Sequence, residues 1–177
     1  MNYIHPTAVI SPDAKIGSGN YIGAFTVIHA HVTIGDNNHI GEHCIIGDIG
    51  ESTKYFDKNP KGVIIGDHNR FTKQVTIDCG TEQDTVIGNN TLILKNGHVG
   101  HDAIVEDYSE IRCNALVGGH AVLKDHVILC IGVVIQPRIT VPKWAYIGAC
   151  SNVTRKTLLN ECWVHYGNPC KPIRERD

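Results

Sequence analysis

The sequence predicts an all-β chain wound as a parallel β-helix of triangular cross-section, and three observations predict it. An aliphatic residue recurs every six positions, glycine often follows it, and a small side chain usually stands four places after it. The first run is Ile4, Ile10, Ile16, Ile22, Ile28, Ile34, Ile40 and Ile46, without exception. The second is Ile87, Ile93, Val99, Val105, Ile111, Val117, Leu123, Leu129, Ile135, Val141, Ile147 and Val153, and Ile65, Phe71 and Ile77 bridge the two. Ile, Val and Leu fill roughly a quarter of the chain, so twelve successive hits by chance have odds of about one in ten million.

An α-helix would repeat at about 3.6 residues and an open strand at 2. A period of six with two inward positions describes instead a short strand and a corner, and three such units close a coil of about 18 residues. Coils stacked at the spacing of hydrogen-bonded strands, about 4.8 Å, place each aliphatic on its equivalent in the next coil. The glycines after the aliphatic are Gly17, Gly23, Gly35, Gly41, Gly47, Gly66, Gly88, Gly100, Gly118 and Gly148. Asp or Asn often comes next, and these are expected to carry the left-handed backbone of a tight corner. The small inward positions include Ala8, Thr26, Cys44, Thr91, Ala103, Ser109, Ala121 and Ser151.

The rhythm breaks twice. Between Ile46 and Ile65 the spacing is 19 where 18 would keep phase, and residues 49–62 carry no repeat. This excursion is expected to leave the prism, reach a neighbouring subunit and line a cleft there, with Tyr55 and Phe56 to bury. Between Ile77 and Ile87 the spacing is 10, so residues 78–83 must add about four residues at one corner. Residues 1–153 form the β-helix, and residues 154–177 form a tail expected to cover the open end of the coil.

Composition narrows the function. The 177 residues are 42% hydrophobic and 19% charged, enough for one domain with a core. Lys and Arg number 16 against 18 Asp and Glu, a net charge of −2, which leaves no basic surplus for a phosphate backbone and argues against nucleic acid. No run of about 18 apolar residues occurs, and Met1 to Pro6 lacks the features of a signal peptide, so a cytoplasmic protein without membrane insertion is expected. The seven cysteines form no C-x-x-C pair and read as reduced thiols serving as small core residues. Aromatics at 6% point to a narrow, regular core.

Isoleucine-rich hexapeptides of this kind resemble those of the left-handed β-helix acyltransferases. Three stretches are similar to the UDP-N-acetylglucosamine acyltransferases of lipid A synthesis: Ile4-His-Pro-Thr-Ala8, the segment from Ile65 to Ile77, and Asn96-Gly-His-Val-Gly-His-Asp102 followed by Leu116-Val-Gly-Gly-His120. The resemblance covers residues 4–153. Two departures accompany it. Gln136-Pro137 stands where that family has His-Gln, and the sequence stops at Asp177 without its helical C-terminal domain. The tail Tyr166-Gly-Asn-Pro-Cys-Lys-Pro-Ile-Arg174 instead resembles the ending of small acetyl-CoA-dependent sugar acetyltransferases. A short relative acting on a nucleotide-linked sugar is the reading that follows.

The resemblance implies roles residue by residue. Acyl transfer from a thioester needs a group to take the proton of the attacking amine or hydroxyl, and a neutral imidazole suits the task. His101 is that base, at a corner facing out, and Asp102 orients it. His120, 19 residues on, sits one coil up and brings a second imidazole within several Å. Gly119 supplies a backbone N–H to the developing oxyanion, and His120 supports the donor side. His98 and Asp67 contact the sugar. Lys171 and Arg174 are placed to meet donor phosphates. No permanently bound cofactor is implied. The co-substrate is acyl-CoA, acetyl-CoA first, or an acylated acyl carrier protein, and the assembly is a homotrimer with sites between subunits. Two other functions compete: a zinc enzyme of the γ-carbonic anhydrase type using His98, His101 and His120, and a non-catalytic β-helix binding protein.

Overall fold

A computed structural model describes residues 1–51 and 60–176. Its strands, most of them two residues long, form three parallel sheets that are the faces of a left-handed triangular prism of about nine turns. The first face begins at Tyr3–Ile4, the second at Val9–Ile10 and the third at Lys15–Ile16. They hold ten, eight and seven strands. Among the described residues there is no helix, and no helix long and apolar enough to cross a membrane.

Register follows the hexad. Ile4 pairs with Ile22 and Ile22 with Ile40, Val99 with Val117, and Val105 with Leu123, so each aliphatic stacks on its counterpart one turn away. From Ile22 to Val153 these side chains are buried. Full burial stabilises by roughly 2–3 kcal/mol for each large aliphatic. The residues at the other inward position, Thr26, Cys44, Ala103 and Ala121 among them, are buried too.

The corners differ from the sequence expectation in one respect. The left-handed residue is the third after the aliphatic, not the second, and is often neither Asn nor Asp: Phe25, His43, Tyr108, His120, His126 and Trp144 all have φ between +55° and +61°. Their side chains point off the corner and stack on the next turn, as Tyr108–His126–Trp144 do with ring centroids 4.9 and 3.8 Å apart. Where glycine does follow the aliphatic, it serves another purpose. A Cβ on Gly41 would occupy the Thr72 carbonyl, so it is the close approach of the next turn that demands glycine there.

The corner joining the third face to the first also carries a polar spine. Asn20, Asn38 and Asn69 are buried, each accepting the backbone N–H one turn up and donating its amide to Gly35, Gly66 and Gly88 respectively. At the far end Trp163–Tyr166 extends the first face by a parallel rung and Lys171–Glu175 folds back antiparallel on it. That hairpin buries His165 and Cys170 over the last turn. Tyr55 and Phe56, expected to line a cleft, lie outside the described residues.

Candidate active site

Both interruptions of the repeat fall at one corner, that between the second and third faces. The excursion leaves it after Ile45–Asp48, and the insertion follows Thr76–Asp78. His98–Val99 and Leu116–Val117 end at the same corner one and two turns further on, so His101, Asp102, Gly119 and His120 are stacked directly beyond the insertion. The irregular part of the sequence is thus where the polar chemistry gathers.

Asp102 is fully buried, and the insertion is folded around it. Its Oδ1 accepts the backbone N–H groups of Thr81, Glu82 and Gln83 at 3.0, 2.8 and 2.8 Å. Its Oδ2 accepts the Thr81 hydroxyl at 2.6 Å and lies 2.6 Å from His101 Nδ1. Gln83 Nε2 donates to the Asp102 carbonyl, and the Asp102 N–H donates to Thr85 Oγ1. Burial by itself would raise the Asp102 pKa. The Gln83 N–H, the Thr81 hydroxyl, His101 and the Glu82 N–H outweigh it and hold the carboxyl well below the usual carboxylate range. The four extra residues that break the hexad therefore build a socket for one negative charge.

An ionised carboxylate only accepts, so Nδ1 of His101 carries the proton and Nε2 is left with its lone pair. That nitrogen faces Gly119: a Cβ on Gly119 would stand 2.7 Å from it. Gly50, at the root of the excursion, packs on the other side, where a Cβ would stand 2.7 Å from the His101 Cβ. Two glycines thus make the slot that holds the ring. The N–H of Gly119 has no acceptor among the described residues, while its carbonyl accepts the Arg138 N–H from the next turn at 3.0 Å. His120 meets His101 edge-on with centroids 5.2 Å apart, and its Nε2 is 3.5 Å from Asp102 Oδ2. Burial lowers the His120 pKa; Asp102 opposes this, and Arg138 and His101 reinforce it.

His98 projects from the second face beside this corner. Its Nδ1 is 2.8 Å from Thr76 Oγ1, and its Nε2 is 3.8 Å from Asp78 Oδ2. Burial raises the Asp78 pKa against the pull of His98. Asp78, Thr76 and Thr81 were not among the residues expected from the sequence. Asp78 ends the strand before the insertion and Thr81 sits inside it, where there is no period to read, and the one signal in the sequence is that an insertion at one corner must have something to hold.

The other expected residues lie elsewhere. Asp67 is on the corner between the third and first faces, where its Oδ1 accepts the Asp36 N–H at 2.6 Å as part of a ladder with Asn89. Lys171 and Arg174 are in the C-terminal hairpin over the first face. Within one chain none of the three meets His101. Three potential ligand groups, from His101, Asp102 and His120, lie within 4.8 Å of one another. Both oxygens of Asp102 are already committed to donors, so a cation there would have to displace the socket's hydrogen bonds, and His98 is turned to Thr76 and Asp78 instead.

Residues 13–48 match the bacterial transferase hexapeptide (six repeats) family. Among solved structures, the UDP-N-acetylglucosamine O-acyltransferase of Moraxella catarrhalis RH4 is 31% identical, with a TM-score of 0.75, covering 98% of this chain and 75% of that one. The enzyme of the same name from Acinetobacter baumannii is 29% identical with a TM-score of 0.75, covering 97% and 71%. The UDP-N-acetylglucosamine acyltransferase of Campylobacter jejuni is 26% identical with a TM-score of 0.89, covering 97% and 74%. The hexad, the prism and this likeness over nearly the whole chain agree: the protein belongs to the left-handed β-helix, hexapeptide-repeat acyltransferases, the family of the UDP-N-acetylglucosamine acyltransferases.

Proposed function

We propose that the protein moves an acyl group, acetyl first among the candidates, from a thioester donor to the amino or hydroxyl group of a nucleotide-linked sugar, with His101 as general base. The observation that carries this reading is the His101–Asp102 pair, with Nδ1 bound to a fully buried carboxylate and Nε2 beside Gly119 without a hydrogen-bond partner among the described residues. In the reaction Nε2 takes the acceptor's proton as its nitrogen or oxygen attacks the thioester carbonyl. The carbonyl oxygen becomes an oxyanion, the C–S bond then breaks, and the proton passes from the imidazolium to the departing thiolate. The buried Asp102 carboxylate stabilises the imidazolium meanwhile. The free Gly119 N–H suits the oxyanion, a donor fixed in place before the reaction begins. His98 contacts the sugar. Asp67, on another corner, would have to come from a neighbouring subunit.

The donor is acyl-CoA or an acylated carrier protein. Thiol release from acetyl-CoA against a panel of nucleotide amino sugars tests the reading; no release with any pair, and none with longer acyl chains or carrier-bound acyl groups, would overturn it.

The same reading calls for a homotrimer. Val9, Ile45, Leu116 and Val134 expose apolar side chains on the second face, on either side of Thr76 and His98 in the same column, with Ile64 exposed on the third, and a closed ring of subunits is a common way to cover such faces. Light scattering is expected to give three times the 19.4 kDa chain mass, and a monomer at micromolar protein would remove the shared cleft.

Gly119 offers a sharper test. The Gly119→Ala methyl must push the His101 ring out of its slot, and misplacing a catalytic group by about an ångström costs on the order of a hundredfold. A drop in kcat of roughly that size with an unchanged melting temperature is expected; full activity would mean the ring is not held where the base must act.

A further inference from the structure

Cations on neighbouring rungs of the prism are treated in two ways. Arg112 is neutralised by Glu110 at 3.0 Å, Lys143 by Asp125 at 3.1 Å and Lys124 by Glu106. Arg138 and Arg155 are exposed and have no carboxylate partner among the described residues. These two stand on the corner that carries the catalytic pair. Arg138 donates its N–H to the Gly119 carbonyl one turn below, and Gln136 donates its own to the Val153 carbonyl one turn above, which sets Arg155 on the following rung. His101, His120, Arg138 and Arg155 thus occupy successive rungs about 4.8 Å apart. The two arginines share a cavity of about 370 Å³ whose walls include Thr140 and Thr154.

From this placement we infer an anion subsite, formed by Arg138 and Arg155, that holds a phosphate ester of a co-substrate while its reactive end lies at His101. Two unpaired guanidiniums on adjacent rungs present their forked donors to one concavity, the arrangement that recognises phosphate oxygens in pairs. Paired cations would offer no such site, because their donors are already spent on carboxylates. Lys171 and Arg174, the cations expected from the sequence to meet donor phosphates, lie over the first face, away from this corner within one chain. The Arg138 charge is also felt at His120, where it helps to lower the pKa, so the subsite and the catalytic corner share one field. The inference rests on the acyltransferase reading for the identity of its ligand. The phosphate can come from the donor, as in coenzyme A, or from the acceptor's nucleotide diphosphate.

Calorimetric titration of the full chain with coenzyme A, UDP and inorganic pyrophosphate, in the wild type and in Arg138→Gln/Arg155→Gln, tests it, with Lys143→Gln as a control on another corner. The double variant is expected to bind pyrophosphate about tenfold to a hundredfold more weakly, with a shallower salt dependence, while Lys143→Gln is unchanged. An equal loss for coenzyme A with UDP unaffected assigns the site to the donor, and the converse assigns it to the acceptor. Unchanged binding of all three ligands would overturn the subsite, even if thiol release proceeds and the acyltransferase reading stands. Weakened pyrophosphate binding in a protein that releases thiol from no donor would keep the anion site and remove the acyltransferase reading.

Discussion

Replacing His101 by alanine is expected to lower turnover by about 100-fold or more, because a positioned general base contributes roughly 10² to 10⁴. The fold should survive. The ring stands at a corner between Gly50 and Gly119, outside the stacked aliphatics that make the core, and among the described residues its only polar contact at hydrogen-bond distance is to Asp102. Single-turnover rates with saturating donor and acceptor would read the effect on the chemical step alone. Partial recovery with added imidazole would tie the loss to a missing base and not to a collapsed slot. A His101→Ala protein with near wild-type turnover would remove this residue from the mechanism and leave His120, whose ring is 5.2 Å away, as the group to examine.

Asp102→Ala is expected to be the most destabilising change at the site, by about 3–5 kcal/mol, because it removes a fully buried carboxylate that accepts three backbone N–H groups and the Thr81 hydroxyl at once. Asp102→Asn keeps one oxygen for the Thr81, Glu82 and Gln83 amides and should be better tolerated in folding. Its NH₂, however, would face His101 Nδ1 and favour the tautomer protonated at Nε2, so activity should fall more than stability does. The pH dependence has a definite sign. In the folded chain the Asp102 pKa is held below its ordinary value of about 4, so its stabilisation is complete above that pH and is lost as pH falls below it. Denaturant midpoints of wild type and Asp102→Ala should therefore converge between about pH 5 and pH 2. A gap that stays constant over that range would mean that the charge of Asp102 contributes nothing to its socket.

The His101–Asp102 and Gly-Gly-His segments could be read from the sequence because each is contiguous and the spacing of 19 between His101 and His120 is one turn plus one residue. Asp78, Thr76 and Thr81 could not. Thr81 depends on how residues 79–84 fold back over the next turn, an insertion with no periodic restraint to fix its path, while Thr76 and Asp78 stand at the two ends of a strand and matter only through the direction in which His98 turns towards them. Asp67 illustrates the opposite case. Its segment resembles a substrate-binding one, and within the chain its carboxylate is a rung in the ladder of Asp36 and Asn89 on another corner, so whether it meets the acceptor depends on a neighbouring subunit that the repeat does not describe. The buried asparagines Asn20, Asn38 and Asn69 are equally hard to read, because they occupy the inward position that the hexad specifies by size and not by hydrogen-bonding capacity.

The sequence by itself determined the coil, its three faces, its inward residues and the turns at which it is interrupted, because in a solenoid each rung packs mainly against the rungs above and below, and a local period is enough to specify that packing. Only the tertiary structure decided which residue of each corner adopts the left-handed backbone, that both interruptions open onto one corner, that Thr81 to Gln83 close on Asp102, and that Arg138 and Arg155 stand above His120 without a carboxylate partner among the described residues. Those are relations between side chains on different rungs or within an aperiodic loop. They depend on direction and distance off the coil, which a repeat of six does not encode.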